Sequence, residues 1–320
     1  MNTDLLIENL SNPALLFFAL GVFASRIKSD LEIPPNSSKF ISLYLLFSIG
    51  FKGGQELAHA DLHLDVVWSF VFGIIIATAI PVCSFYLLRK RLGTDNAGAI
   101  AAAYGSVSAV TFVTAVTFLE NQGIHFGGHM VAIMALMEAP AIIIGVLLIR
   151  IYTKERENTE SLGHVVQHAF TNGSVLLILG SLVIGFMASD EQAAGIKPFT
   201  TDLFKGFLAI FLLDMGITSG KKLNDFFSSG WIPATFAMIA PIVNGSIVAY
   251  ASCAVTPEVG NRFIFAILAA SASYIAVPAA MKIAAPKANP GIFLPMALAI
   301  TFPVNITLGI PIYYWIASAC

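Results

Sequence analysis

Charge is what this chain has least of. Only 11% of its 320 residues are Asp, Glu, Lys or Arg, where an ordinary soluble domain carries about 25%. So few charges cannot clothe a water-facing surface of this size, which excludes a soluble globular protein. The net charge of −2 supplies no basic field of the kind that holds nucleic acid. Cysteine is scarce too. Cys83, Cys253 and Cys320 show no CxxC spacing, so the sequence predicts inert packing thiols, with no disulfide framework and no metal cluster. No Walker-type phosphate loop, GxSxG or HExxH occurs, so neither nucleotide-driven work nor those enzyme chemistries are expected. No organic cofactor is expected either. The opening "MNTDLLIENL" carries Asp4 and Glu8 and no Lys or Arg, the wrong flank for a cleaved signal peptide.

What the chain has instead is apolar length. Hydrophobic residues make up 57% of it, and mean hydropathy is +0.81. A spanning helix needs about 20 mostly apolar residues. Ten windows qualify: 13–28, 40–58, 65–88, 96–119, 129–152, 172–189, 200–222, 231–254, 261–283 and 292–317. With ten spans, thirteen of the seventeen basic residues fall in loops on one side. The exceptions are Lys52, Lys197, Lys205 and Arg262. Positive charge stays in the cytoplasm, so both termini are predicted outside. The fold class expected is an all-α polytopic membrane protein.

The two halves resemble each other. "LYLLFSIGFKGGQEL" (43–57) aligns with "AIFLLDMGITSGKKL" (209–223), "AAAYGSVSAV" (101–110) with "LAASASYIAV" (268–277), and "ALMEAPAIIIG" (135–145) with "LAITFPVNITL" (298–308). The organisation predicted is a first repeat at 1–155, a cytoplasmic linker at 156–171 and a second repeat at 172–320. Five spans is an odd number, so the repeats enter the membrane from opposite sides, as in secondary transporters. Gly50–Gly54 and Gly216–Gly220 form matched GxxxG pairs, predicted to pack helices closely or to serve as a hinge.

The residues 101–110 and 268–277 place Gly105, Ser106, Ser108, Ser271 and Ser273 in mid-span, and Pro278 follows. These are weak helix formers. They predict two broken helices that cross near the midplane. A broken helix exposes N–H groups and partial positive charge at its new N-terminus. Two such ends make an anion site without Arg or Lys. The hydroxyls of Ser106, Ser108, Thr111, Ser271 and Ser273 are further donors. Glu138, two residues before Pro140, is an intramembrane acid and a functional candidate by default. With Thr301 and Asn305 it offers oxygens suited to Na⁺. A proton carried on Glu138 is the alternative. Asp214 is predicted to pair with Lys52 or Lys205, or to face a water-filled vestibule. His59, His63, His125 and His129 are predicted to face water at outer span ends.

On the residues "YGSVSAVTFVTAVTFLE" (104–120), "MEAP" (137–140), "SASYIAVPAAMK" (271–282) and "ITFPVNITLGIPIYY" (300–314), the whole chain resembles the sodium-dependent bicarbonate transporters of bacteria and cyanobacteria. The resemblance implies a Na⁺/HCO₃⁻ symporter with core and gate domains, assembled as a homotrimer in the bacterial inner membrane. It implies that Gly105, Ser106, Val107, Ser108, Thr111, Ser273, Tyr274 and Ile275 surround the anion. Glu138, Ser271, Ser273, Thr301 and Asn305 would hold Na⁺. In cyanobacterial members a PII-like regulatory protein is a partner; the linker here is shorter and less charged than theirs. The chain also departs from their pattern at Ala109, Val110 and Glu138, where they carry glycine, serine and aspartate. Another small anion, such as a monocarboxylate, is the alternative substrate. A non-transporting sensor or intramembrane enzyme is the alternative class.

Overall fold

A bilayer core offers peptide groups no water, so a spanning chain must satisfy them itself, and helices do this segment by segment. The computed structural model is accordingly all-helical among the residues it describes: 13–59, 64–153, 173–227, 230–274 and 285–319, with isolated positions at 167, 171, 277 and 281. Most of the predicted linker, His63, Ile275, Pro278 and Cys320 lie outside the described residues.

The helices are α1 (Pro13–Arg26), α2 (Pro35–Ala58), α3 (Leu64–Leu92), α4 (Thr94–Gly105), α5 (Ala109–Asn121), α6 (His129–Tyr152), α7 (Gly173–Met187), α8 (Asp190–Lys197), α9 (Phe204–Phe227), α10 (Trp231–Ala251) and α11 (Val259–Ala270). The last helical stretch, α12, runs Pro290–Ser318. It contains two wide π-helical turns, Met296–Thr301 and Asn305–Gly309. Among the described residues six stretches are long and apolar enough to cross a membrane: Leu64–Leu92, Thr94–Asn121, His129–Tyr152, Asp190–Lys222, Trp231–Ala254 and Pro290–Ser318. The Pro13–Arg26, Val175–Met187 and Val259–Ala270 runs are apolar but shorter. α2 has the length, 24 residues, but is not among the six.

The window expected at 200–222 starts earlier than the hydropathy suggested. Ser189 caps α8 and Gln192 reaches back to the cap in a capping box, so the chain is already helical at Asp190. The window at 96–119 is interrupted, and in the window at 261–283 the helix ends early, both at weak helix formers. α4 stops at Gly105 and α5 starts at Ala109, while α11 stops at Ala270.

Packing falls into two kinds. α1 lies along α9, and α2 lies along α7. At these seams backbones touch. A Cβ on Gly50 would sit 2.7 Å from the Ile178 carbonyl oxygen, one on Gly54 2.1 Å from that of Leu182, and one on Gly185 2.2 Å from that of Phe51. Across the other seam, a Cβ on Gly216 would sit 2.1 Å from the Phe18 carbonyl and one on Gly21 2.2 Å from that of Leu213. Both GxxxG pairs therefore serve close helix approach. Each seam joins a helix before the linker to one after it. The second kind of packing is local: α3 on α4 and α6, and α10 on α11 and α12. In its most apolar stretch, 94% of the residues of the broken span Thr94–Asn121 are buried, against 28% for Leu64–Leu92, so the interrupted helix is central and α3 is peripheral.

Three expectations about single residues are corrected. Cys253 is disulfide-bonded, and Cys83 is free and exposed on α3; pairing between distant cysteines leaves no trace in spacing. His129 is buried, not water-facing. Its ring packs against Gly127, where a Cβ would meet it at 2.4 Å.

Overpacking a close backbone contact costs about 1–3 kcal/mol. Gly216→Leu should therefore lower the thermal unfolding midpoint of the detergent-solubilised protein. Gly180→Leu, whose added Cβ meets nothing within 4 Å, should leave it unchanged. Equal midpoints for the two variants would show that the seam tolerates side chains.

Candidate functional site: two crossing helix breaks

α4 and α11 are each 12 residues long, and each gives way to extended backbone at a serine. Ser106 has φ −81° and ψ 170°, and Ser271 has φ −81° and ψ 164°. The sequence alignment set Ser106 against Ser273. The backbone sets it against Ser271, two residues earlier. Small residues flank both breaks, so residue identity alone left the register loose.

The breaks touch. The Ser273 N–H donates to the Ala103 carbonyl at 2.8 Å. The Ser108 N–H donates to Ser271 Oγ at 3.0 Å, and that hydroxyl donates in turn to the Leu268 carbonyl at 3.0 Å. Ser108 also caps α5, its Oγ accepting the Thr111 N–H at 3.3 Å, the usual work of serine at a helix start. The Ala109 and Val110 N–H groups, in the first turn of α5, have no intrahelical acceptor. Ser106 Oγ is fully buried and has no partner among the described residues. At Gly105, the last residue of α4, Pro81 of α3 packs so closely that a Cβ would run into the proline ring. Val107 and Thr111 are buried beside the break. Tyr274, the last described residue of the second break, donates its hydroxyl to Met215 Sδ of α9 at 3.6 Å.

α12 meets both breaks through side chains. Thr301 Oγ1 donates to the Ala237 carbonyl of α10 at 2.8 Å and accepts from the Tyr104 hydroxyl at 2.6 Å. Asn305 Nδ2 donates to the Ala270 carbonyl, the end of α11, at 2.8 Å, and its Oδ1 accepts from Tyr313 at 2.9 Å. Both residues belong to the wide turns of α12, a distortion that recurs at functional sites. Tyr104 and Tyr313 were not singled out from sequence. Their roles depend on partners far along the chain, and the one local signal was that Tyr104 immediately precedes the first break.

Ser106, Ser108, Ser271, Ser273, Thr301 and Asn305 are thus tied into one region. Glu138 is placed differently. It is buried on α6, whose main neighbours are α3 and α4. Among the described residues none hydrogen-bonds its carboxylate, and it is not bonded to Thr301 or Asn305. No group of three or more His, Cys, Asp or Glu residues able to hold a metal occurs among the described residues.

Asp214 pairs with neither of the lysines expected for it. Lys52 pairs with Glu120 at 2.6 Å, and Lys205 donates to Asn121 at 3.0 Å. Asp214 instead accepts from Ser38 at 2.5 Å and lines a cavity of about 420 Å³. That cavity lies between the first turns of α2 and the middle of α9, and Tyr274 forms part of its wall.

Such an arrangement suits binding rather than bond making. The crossing offers helix-end N–H groups and hydroxyl donors to an anion, and carbonyl, hydroxyl and amide oxygens to a hard cation, with no nucleophile–base pair. No curated protein matches the sequence. A family model does, over residues 13–318, an interval that begins with α1 and ends with α12. The chain belongs to the Na⁺-dependent bicarbonate transporter superfamily.

Proposed function

We propose that the protein is a Na⁺-coupled symporter that imports bicarbonate by alternating access. Membership of the superfamily makes it a transporter and not an enzyme. The observation that carries the finer reading is the junction of the two breaks: Ser273 N–H on the Ala103 carbonyl, and Ser108 N–H on Ser271 Oγ. In this reading the anion sits at the start of α5, facing Gly105, Ser106, Val107, Ser108 and Thr111, with Ser273, Tyr274 and Ile275 opposite. Ser106 Oγ, buried without a partner among the described residues, is the donor with most to gain from an anion. Na⁺ sits beside it with Ser271 or Ser273, Thr301 and Asn305. Each of the last two keeps an oxygen lone pair beyond the hydrogen bonds already made. Glu138 supplies the negative charge from α6.

The two kinds of packing support a division of labour. α3, α4 and α6, with α10, α11 and α12, form the core that holds the site. The α1–α9 and α2–α7 seams form the gate. On this view the halves 1–155 and 172–320 are inverted repeats that exchange gate helices.

The orientation, with both termini outside a bacterial inner membrane, gains support from three of the four cations that break the charge rule. Lys52 is bound to Glu120, Lys205 to Asn121, and Arg262 is buried against the Thr256 and Ala317 carbonyls. These cations serve the fold and say little about sidedness. Cys253, at the end of α10, would lie outside, where disulfides persist. A homotrimer and a PII-like regulator follow from the family resemblance alone.

Purified protein in liposomes should take up labelled bicarbonate when an inward Na⁺ gradient is imposed, and not with K⁺ in its place. Acetate and pyruvate should not compete. Folded protein without Na⁺-stimulated uptake would overturn the reading.

The anion and cation roles separate by mutation. A neutral hydrogen bond contributes about 1 kcal/mol, so Ser106→Ala should raise the KM for bicarbonate about fivefold and leave the Na⁺ activation curve in place. Glu138→Ala should abolish Na⁺ stimulation. Unchanged Na⁺ activation in Glu138→Ala would remove that residue from the site.

A further inference from the structure

Asp214 is an intramembrane carboxylate that the binding site does not use. It is 8% exposed, and one oxygen accepts the Ser38 hydroxyl. Among the described residues the other oxygen accepts no hydrogen bond and no Lys, Arg or His is within ion-pair distance, though Lys221, two turns on along α9, adds a weaker favourable charge. A clasp to Ser38 and the more distant charge of Lys221 do not by themselves explain an acid here. An amide would accept the same hydrogen bond without the cost of an ionised group at this depth.

The surroundings explain it better. Asp214 forms the wall of the 420 Å³ cavity together with the hydroxyl-bearing Ser42 and Thr218. A carboxylate with hydroxyl oxygens is the donor set of a hard cation. Tyr274 joins the cavity to the second helix break. Exposed Lys39, one of the basic residues that mark the cytoplasmic side, lines it as well. The cavity is far larger than one bare ion, so a cation there keeps part of its water.

We propose that Asp214, with Ser42 and Thr218, forms a second Na⁺ site in the cytoplasmic vestibule, where the coupling ion pauses as it leaves the helix crossing. This rests on the Na⁺-symport reading. The site collects the cation in a still-hydrated form and sets how readily internal Na⁺ rebinds. Lys39 at the wall favours departure of the anion by the same route.

The test is inhibition from the far side. Liposomes are loaded with increasing Na⁺ against choline, and bicarbonate uptake is driven by fixed external Na⁺. Internal Na⁺ should inhibit the wild type. In Asp214→Asn the internal Na⁺ needed for half-inhibition should rise at least fivefold, with external Na⁺ activation unchanged. Asp214→Glu should restore inhibition, and Ser38→Ala, which removes the clasp but keeps the acid, should behave as wild type. Wild-type inhibition in Asp214→Asn, or its loss in Ser38→Ala, overturns the proposal. A readout independent of transport separates this from failure of the symport reading. In a Cys83→Ser background, Na⁺ but not choline should slow alkylation of Leu43→Cys in the cavity wall, and Asp214→Asn should abolish that protection. Absence of Na⁺-specific protection overturns the second site even if uptake is Na⁺-driven.

Discussion

A backbone that leaves the helix inside a membrane must find its hydrogen-bond partners in protein, because each orphaned group costs several kcal/mol in lipid. The centre of this structure answers that demand. The first break lends the Ala103 carbonyl to the Ser273 N–H, and the second lends Ser271 Oγ to the Ser108 N–H. Each break is thus part of the other's solution. α12 adds to this, with Asn305 on the Ala270 carbonyl at the end of α11 and Thr301 between the Tyr104 hydroxyl and the Ala237 carbonyl of α10. The wide turns of α12 fit this duty. A regular helix keeps its backbone to itself, whereas these turns accompany the two residues that reach sideways into the crossing.

The same demand separates the two kinds of interface. The crossing is pinned by directional bonds between buried groups, so it resists sliding. The α1–α9 and α2–α7 seams rest largely on van der Waals approach at glycines, which has little directionality; at one end of the second seam Gln55 of α2 also donates to the Gly185 and Ala188 carbonyls. An alternating-access cycle needs one body that keeps its site intact and another that shifts against it. The distribution of hydrogen bonds and glycines assigns these parts in the proposed cycle.

The breaks themselves were legible in the sequence, because Gly105, Ser106, Ser108, Ser271 and Ser273 are costly choices in mid-span. Their register was not. Ser106 matches Ser271 in backbone angle but Ser273 in alignment, since small residues on either side make shifted alignments nearly equivalent. Thr301 and Asn305 stood out as polar groups in an apolar run, yet their partners Tyr104, Ala237 and Ala270 lie 197, 64 and 35 residues away, beyond any local pattern. Asp214 was legible as an acid needing an explanation, and only the fold could choose between Lys52, Lys205 and a vestibule. Cys253 and His129 were misread for a related reason: sequence shows what a residue is, and burial and pairing are decided by distant packing.

The charges on the other side of the molecule complete the physical picture. Lys52 of α2 and Lys205 of α9 both bind the last residues of α5, Glu120 and Asn121. Lysines at a helix C-terminus also meet the negative end of its dipole. The two seams are therefore held to the broken helix at the end remote from Asp214 and its cavity. If the proposed cycle opens the outer side, these two contacts must part. Lys52 and Glu120 are about one-third exposed, and exposed pairs contribute only about 0–1 kcal/mol each. A latch this weak suits a transporter better than a strong one, since the outward state must be reachable at the modest cost that ion binding can offset. The strong bonds are kept where nothing should move, and the weak ones where something must.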